Sequence, residues 1–217
     1  MTDFTPHSNL DQDSSTSFHL RLASGDDFVD IAEVLFEAYK NAAWFKVINA
    51  KVAKTDWIQT TSRSMRNIAE SPDGTSIVVE SAGQIVGTAC YLHLTASFLG
   101  LPDPGDTPGE NESELEKMGS GLFKSELIER YGAVLWISEA AVHPRFQGKG
   151  VGRLLLSYIL REAKQQRLNI AAAVDVSANV PKVLEEKLGF VEVYPARMLL
   201  DGKVSSTNQM LLEIFPA

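Results

Sequence analysis

The chain has 217 residues, 44% of them apolar, enough for one domain with its own hydrophobic core. Lys and Arg number 20 against 28 Asp and Glu, a net charge of −8, which argues against a nucleic-acid groove or an anionic membrane surface. A single cysteine, Cys90, excludes an intrachain disulfide and a thiolate metal cluster, and the four histidines show no ligand spacing, so no metal is expected.

No apolar run approaches the roughly 18 residues of a membrane helix. Residues 1–17 are polar and acidic, without the basic start and apolar stretch of a signal peptide. They read as a disordered tail ahead of one domain, 18–217, in a cytoplasmic protein. Phe18 to Ala23 alternates as a short strand. Gly25-Asp26-Asp27 supplies a turn and a helix N-cap. Phe28, Ile31, Ala32, Leu35 and Tyr39 then follow at helical spacing. Trp57, Ile58, Thr61, Met65 and Ile68 mark a second helix, and the linker between carries Trp44 and Phe45.

Residues 76–81 and 85–94 read as strands joined by a tight hairpin at Ala82-Gly83-Gln84. Residues 100–114 hold three prolines, three glycines and five acids, a loop. Leu115, Met118, Leu122, Phe123 and Leu127 suggest a helix after it, so about 95–132 reads as an insertion between two strands. Residues 134–142, VLWISEAAV, are a near-continuous apolar run that suits a buried central strand. From Gly150 to Gln166 an amphipathic helix sets Val151, Leu154, Leu155, Tyr158, Ile159 and Ala163 against Arg153, Ser157, Arg161 and Lys164. Residues 170–176 form another buried strand. Asn179 is placed to cap a short helix that Gly189 ends, and strands at 191–194 and 209–215 close the chain. The expected class is α/β, a central mixed sheet of six to seven strands flanked by helices.

Chemistry concentrates between the central strand and the long helix, at Arg145-Phe146-Gln147-Gly148-Lys149-Gly150-Val151-Gly152-Arg153. Three glycines at alternate positions sit where a loop becomes a helix. Unpaired N–H groups and the partial positive charge of a helix N-terminus, with no side chains in the way, suit a pyrophosphate. Arg145, Lys149 and Arg153 add cations. A glycine-rich turn that only packs the helix is the plain alternative. The spacing is not that of a dinucleotide fingerprint, and a P-loop pattern is absent.

The segment EAAVHPRFQGKGVGRLLLSYIL, Glu139 to Leu160, closely resembles the signature of the GNAT superfamily of acyl-CoA-dependent N-acyltransferases. A strand ending in Ala141-Val142 leads through His143-Pro144 to Gln147-Gly148-Lys149-Gly150-Val151-Gly152 at a helix start. EKLGF, Glu186 to Phe190, resembles the end of the family's next helix. The resemblance is specific over about 134–190 and architectural before that.

The resemblance implies that the central strand splays from the strand after it, so that Ala140, Ala141 and Val142 pair with the pantetheine arm of acetyl-CoA. It gives the pyrophosphate to Gln147, Gly148, Lys149, Gly150, Val151 and Gly152, with Arg153 beside them. Asn179 matches a position that bonds pantetheine, and the helix-cap reading stays open beside this. The implied reaction is acetyl transfer from acetyl-CoA to the primary amine of a small molecule, by direct attack in a ternary complex. A homodimer would be in keeping with the family. Glu139, the only acid in its strand, is the candidate general base; a salt bridge to Arg145 or to the insertion is the alternative. Strict alternation turns Glu139 away from the face of Trp136 and Ser138 unless a bulge intervenes, and family bases also occur at the Ser138 position. Where many relatives carry the Tyr that protonates the CoA thiolate, this chain has Glu185, which leaves the general acid unassigned and motivates the rival reading of a non-catalytic acyl-CoA-binding module. Tyr39, Trp44 and Phe45 fall where the family's first helices overhang the acceptor, and read either as the lining of an apolar pocket or as core. The insertion reads either as a solvated surface loop without a role or as a lid whose acids, Asp103, Asp106, Glu110, Glu112 and Glu114, would attract cationic acceptors.

Overall fold

The computed structural model describes residues 17–98, 124–175, 184–186, 189–200 and 203–215. The tail, Asn179 and most of the insertion, with its five acids, lie outside the described residues. Among the described residues, seven strands form one sheet: β1 (His19–Leu22), β2 (Gly74–Ser81), β3 (Gln84–Thr95), β4 (Ala133–Val142), β5 (Asn169–Asp175), β6 (Val191–Leu200) and β7 (Lys203–Leu212). Their spatial order is β1-β2-β3-β4-β5-β7-β6. Only β4 and β5 run parallel; the other neighbours are antiparallel. The helices are α1 (Phe28–Tyr39), α2 (Ala43–Ile48), α3 (Lys54–Glu70), α4 (124–131) and α5 (Val151–Gln166).

Both faces of β2, β3, β4 and β5 are covered, which is why the central strands read as largely apolar runs. Val78, Cys90, Leu92, Val134 and Trp136 point to the layer of α1, α3 and α4, against Ile31, Leu35, Met65, Ile68 and Leu127. Ile77, Val79, Tyr91, Leu135 and Ile137 point the other way, onto Val151, Leu155, Ile159 and Ala163 of α5. The α5 stripe expected from the sequence is the one that is buried, with Leu154 and Tyr158 as half-buried flanks.

Three local readings change. The linker with Trp44 and Phe45 is a short helix, α2. Six residues are too few to show a periodicity, and edge-on ring contacts of Phe45 with Phe36 and Trp57 tie the helix down instead. The two last strands extend into a ten-residue hairpin pair that meets at Leu200 and Lys203. The Asp-Gly pair in the sequence between them was the available signal. Asp27 occupies the N-cap position of α1 but does not cap it with its side chain. Its carboxylate instead accepts two bonds from the Arg21 guanidinium, at 2.6 and 2.8 Å, and others from the Ser24 N–H and hydroxyl. Arg21 also donates to Glu80, so one cation ties β1, β2 and the start of α1 together.

The Arg21 bonds hold the Asp27 carboxyl well below the usual carboxylate range, against the opposing effect of burial. An unfolded Asp takes up its proton near pH 4, so this pair's stabilisation is complete above that pH and fades as the pH falls below it. Asp27→Asn should therefore lower unfolding free energy at pH 7 by roughly 1–3 kcal/mol. In urea titrations the gap to wild type should narrow below about pH 4; a gap of constant size would remove the ion pair as its cause.

Candidate active site

The site is built where two regular features of the sheet fail together. Pairing between β4 and β5 runs from Val134–Asn169 to Ile137–Ala172 and goes no further. Beyond that point β4 stays paired with β3 up to Val142, while β5 stays paired with β7 up to Asp175. The two parallel strands thus part, and the edge of residues 138–142 that faces β5 loses its ladder. A strand edge without a neighbour presents N–H and C=O groups to whatever enters the gap. Burial follows the same line: Val134–Ile137 are buried, Ser138 and Glu139 half-buried, and Ala140 exposed although it lies in a central strand.

The second failure is a β-bulge. Tyr91 pairs with Ile137 and Cys90 with Glu139, so Ser138 is the extra residue. The bulge resolves the parity of the strand. Glu139 lies opposite Cys90, and Trp136 opposite Leu92, so both face the α1 layer. Without the extra residue Glu139 would face α5.

On that side Glu139 meets Tyr39, at the last turn of α1. The Tyr39 hydroxyl donates to Glu139 Oε2 at 2.8 Å and lies 3.2 Å from the Ala140 carbonyl. Desolvation first, and then the neighbouring Glu139 charge, push the Tyr39 phenol well above its ordinary range. It keeps its proton and acts as a donor. Sequence reasoning placed Tyr39 only among aromatic lining residues; its partner is a hundred positions away, and nothing local signals the bond. Cys90 is fully buried beside Ser76, and burial pushes its thiol up to about 12. It does not supply a thiolate at neutral pH.

At the end of β4 the chain turns through His143-Pro144. The His143 N–H donates to the Val86 carbonyl, and its Nδ1 accepts from the Arg145 N–H, so this histidine holds the turn. The Gln147 side chain donates to the Val142 carbonyl at 3.1 Å, fastening the glycine loop to the strand end. Gly148 and Gly150 have φ of +74° and +90°, the left-handed region where a Cβ is strained. A Cβ at either would meet nothing within 4 Å, so the space in front of them is open. Helix bonding in α5 begins with Leu154 donating to the Gly150 carbonyl. The amides of Val151, Gly152 and Arg153, in the first turn, have no carbonyl one turn back to bond. Arg145, Lys149 and Arg153 are exposed around this opening, with the Lys149 ammonium 5.1 Å from the Phe146 ring centre.

The placement of α5 depends on Gly87. A Cβ there would lie 2.5 Å from Val151 Cγ1. The missing side chain lets the helix start press onto β3, beside its pairing with Val142. The strand gap, Glu139 and the amide-rich turn are therefore contiguous along Ser138–Arg153. Downstream, Gly189, with φ +75°, donates to the Glu185 carbonyl and ends a helical turn at 184–186. Glu185 is exposed. Among the described residues no group of three or more His, Cys, Asp or Glu side chains is arranged to hold a metal, and no helix is long and apolar enough to cross a membrane.

A mixed sheet that splays beside a glycine-turn helix is a fold shared with solved acetyltransferases. The sequence pattern of the Acetyltransferase (GNAT) family matches residues 41–190. The chain belongs to this family of acetyltransferases. A search of curated proteins by sequence found no match. Among solved structures, a histone acetyltransferase HPA2 and related acetyltransferase from Corynebacterium glutamicum superposes with a TM-score of 0.58 at 19% identity, covering 93% of this chain and 97% of that one. The ribosomal-protein-S18-alanine N-acetyltransferase of Escherichia coli gives 0.55 at 13% identity, with 90% and 93% covered. NAA60 of Arabidopsis thaliana, in complex with acetyl-CoA, gives 0.54 at 11% identity, with 90% and 97% covered. At these identities the likeness is one of fold.

Because Gly87 sets the seat of α5, Gly87→Ala should displace the helix start. We expect a loss of about 1–3 kcal/mol in denaturant unfolding, together with weaker acyl-CoA binding. Unchanged stability would mean that α5 does not need this close approach.

Proposed function

We propose that this protein transfers the acetyl group of acetyl-CoA to the primary amine of a small molecule, by direct attack in a ternary complex. The observation that carries this reading is the gap beyond Ile137 and Ala172, with the Glu139 carboxylate on one side and the amide-rich start of α5 at its end. The edge of Ala140, Ala141 and Val142 that β5 leaves unpaired suits the amide groups of a pantetheine arm. The open left-handed glycines and the first-turn amides of residues 148–153 suit its pyrophosphate, with the exposed cations nearby. Gln147 acts there through its bond to Val142, as a positioning residue.

The chemistry requires a neutral amine. Glu139 takes a proton from the ammonium, directly or through water, and the freed lone pair attacks the thioester carbonyl. The C–N bond forms, the C–S bond breaks, and the CoA thiolate leaves. Tyr39 positions the Glu139 carboxylate and favours its charged form. The inert state of Cys90 supports direct transfer over an acyl-cysteine route. Glu185, at the position where many relatives carry the tyrosine that protonates the thiolate, is an exposed carboxylate. That position favours the rival reading, an acyl-CoA-binding module without turnover.

Calorimetric titration with acetyl-CoA, CoA and NAD tests the cradle. Both CoA species should bind and NAD should not, and Gly150→Glu should weaken acetyl-CoA by at least about tenfold. If neither CoA species binds, the reading fails. If they bind but no amine in a broad panel is acetylated, the sensor reading replaces it.

For the base, Glu139→Gln should leave acetyl-CoA affinity intact and reduce turnover by on the order of 10²-fold. Tyr39→Phe removes a bond to the carboxylate, which raises the Glu139 pKa, so the acidic limb of the pH–rate profile should move to higher pH. A profile unchanged in both variants removes this pair from the mechanism.

A further inference from the structure

Helices α1, α2 and α3 enclose a cavity of about 250 Å³ that is lined by none of Tyr39, Trp44, Glu139 or the residues of β4. It is distinct from the gap where β4 and β5 part. Each of the three helices gives one ring to its wall: Phe36, Phe45 and Trp57, with ring centres 5.2 to 5.6 Å apart and planes steeply inclined to one another. Lys40, Lys46 and Lys54 line it as well, and no lining residue carries a carboxylate.

The charges around this cavity are unequal. Glu37 is shared: it holds Lys40 and lies 3.7 Å from Lys54. Asp56 borders the cavity in sequence, but it is exposed and does not line it. Lys46 forms no ion pair with the described residues. The Lys54 ammonium lies 5.0 Å from the centre of the Phe36 ring, so a cation stands at the aromatic wall itself. Ammonium groups gathered at one concave surface repel each other, and an anion among them relieves that repulsion and accepts charge-assisted hydrogen bonds. The wall asks for something different, a flat apolar body that packs against ring edges and faces. The volume is just below the range of about 300 to 1,000 Å³ typical of ligand sites, which limits the ligand to about one ring.

We propose that this cavity is a second ligand site, separate from the reaction, for a small aromatic carboxylate. The ring seats among Phe36, Phe45 and Trp57, and the carboxylate meets Lys46 and Lys54. Because the three rings come from three helices, a ligand seated there bridges α1, α2 and α3. Lys46 is the clearest probe of the charge, since Lys40 and Lys54 already serve Glu37.

The test titrates the full chain with benzoate, with benzamide, which keeps the ring and loses the charge, and with acetate, which keeps the charge and loses the ring. Calorimetry reads binding, and tryptophan fluorescence gives a second signal because Trp57 lines the cavity. Benzoate should bind with a Kd of about 1 mM or tighter, at least about tenfold below that of either analogue. Lys46→Gln should weaken benzoate by about threefold or more, and Lys46→Glu should weaken it further. Lys164→Gln, on the exposed side of α5, should leave it unchanged. Saturation with acetyl-CoA should also leave benzoate affinity unchanged, whether or not any amine is acetylated. The proposal is overturned by the absence of saturable benzoate binding below about 10 mM, or by an analogue that binds as well as benzoate. An equal loss in Lys164→Gln would reduce the effect to general surface charge and overturn it too. So would competition between benzoate and acetyl-CoA, which would move the ligand into the strand gap.

Discussion

Hydrogen bonding between β4 and β5 stops at Ile137 and Ala172, and the bulge at Ser138 follows at once. The site depends on this interruption. If the parallel ladder continued, Ala140 and Val142 would be sealed in a central sheet and nothing could enter. If the bulge were absent, Glu139 would be carried to the α5 face, away from Tyr39. The split costs ladder bonds on both strands. It survives because each strand keeps its other neighbour: β4 is held by β3 to Val142, and β5 by β7 to Asp175. The two halves of the sheet are separately anchored, and the gap is what lies between them.

Each layer of helices serves one side of that gap. Helix α5 brings unpaired amides to its end, and its approach is set by a bare backbone at Gly87 and by the left-handed glycines of the turn. Helices α1 and α2 bring aromatic rings to the opposite side, with Tyr39 as a point of contact with β4. Backbone donors on one side and side-chain selectivity on the other is a division with a physical basis. Backbone amides present the same donors whatever the sequence, whereas the size and charge of side chains can vary.

The negative charge of the chain as a whole hides this arrangement. Net charge describes the far field, which governs encounter and solubility. A cavity responds to the few groups that line it. Lys40, Lys46 and Lys54 line a cavity between α1, α2 and α3, although acids exceed bases overall.

Much of the sheet and the glycine turn was legible in the sequence, because these features rest on local rules. Strands buried on both faces must be apolar throughout, as residues 134–137 are, and an amphipathic helix must repeat its apolar stripe, as α5 does. A left-handed turn favours glycine, so Gly148 and Gly150 were legible as a turn before any fold was known. The short helix α2 was not visible, since six residues carry no period and rings from α1 and α3 hold it. Nor did the Ser138 bulge have a local signature: alternation by itself put Glu139 on the wrong face. The bond from Tyr39 to Glu139 joins segments that no sequence window contains. Residue identity fixed which groups can donate, accept or carry charge. Tertiary packing decided which of them meet, because the register between strands and the seating of helices are set by contacts across the whole domain.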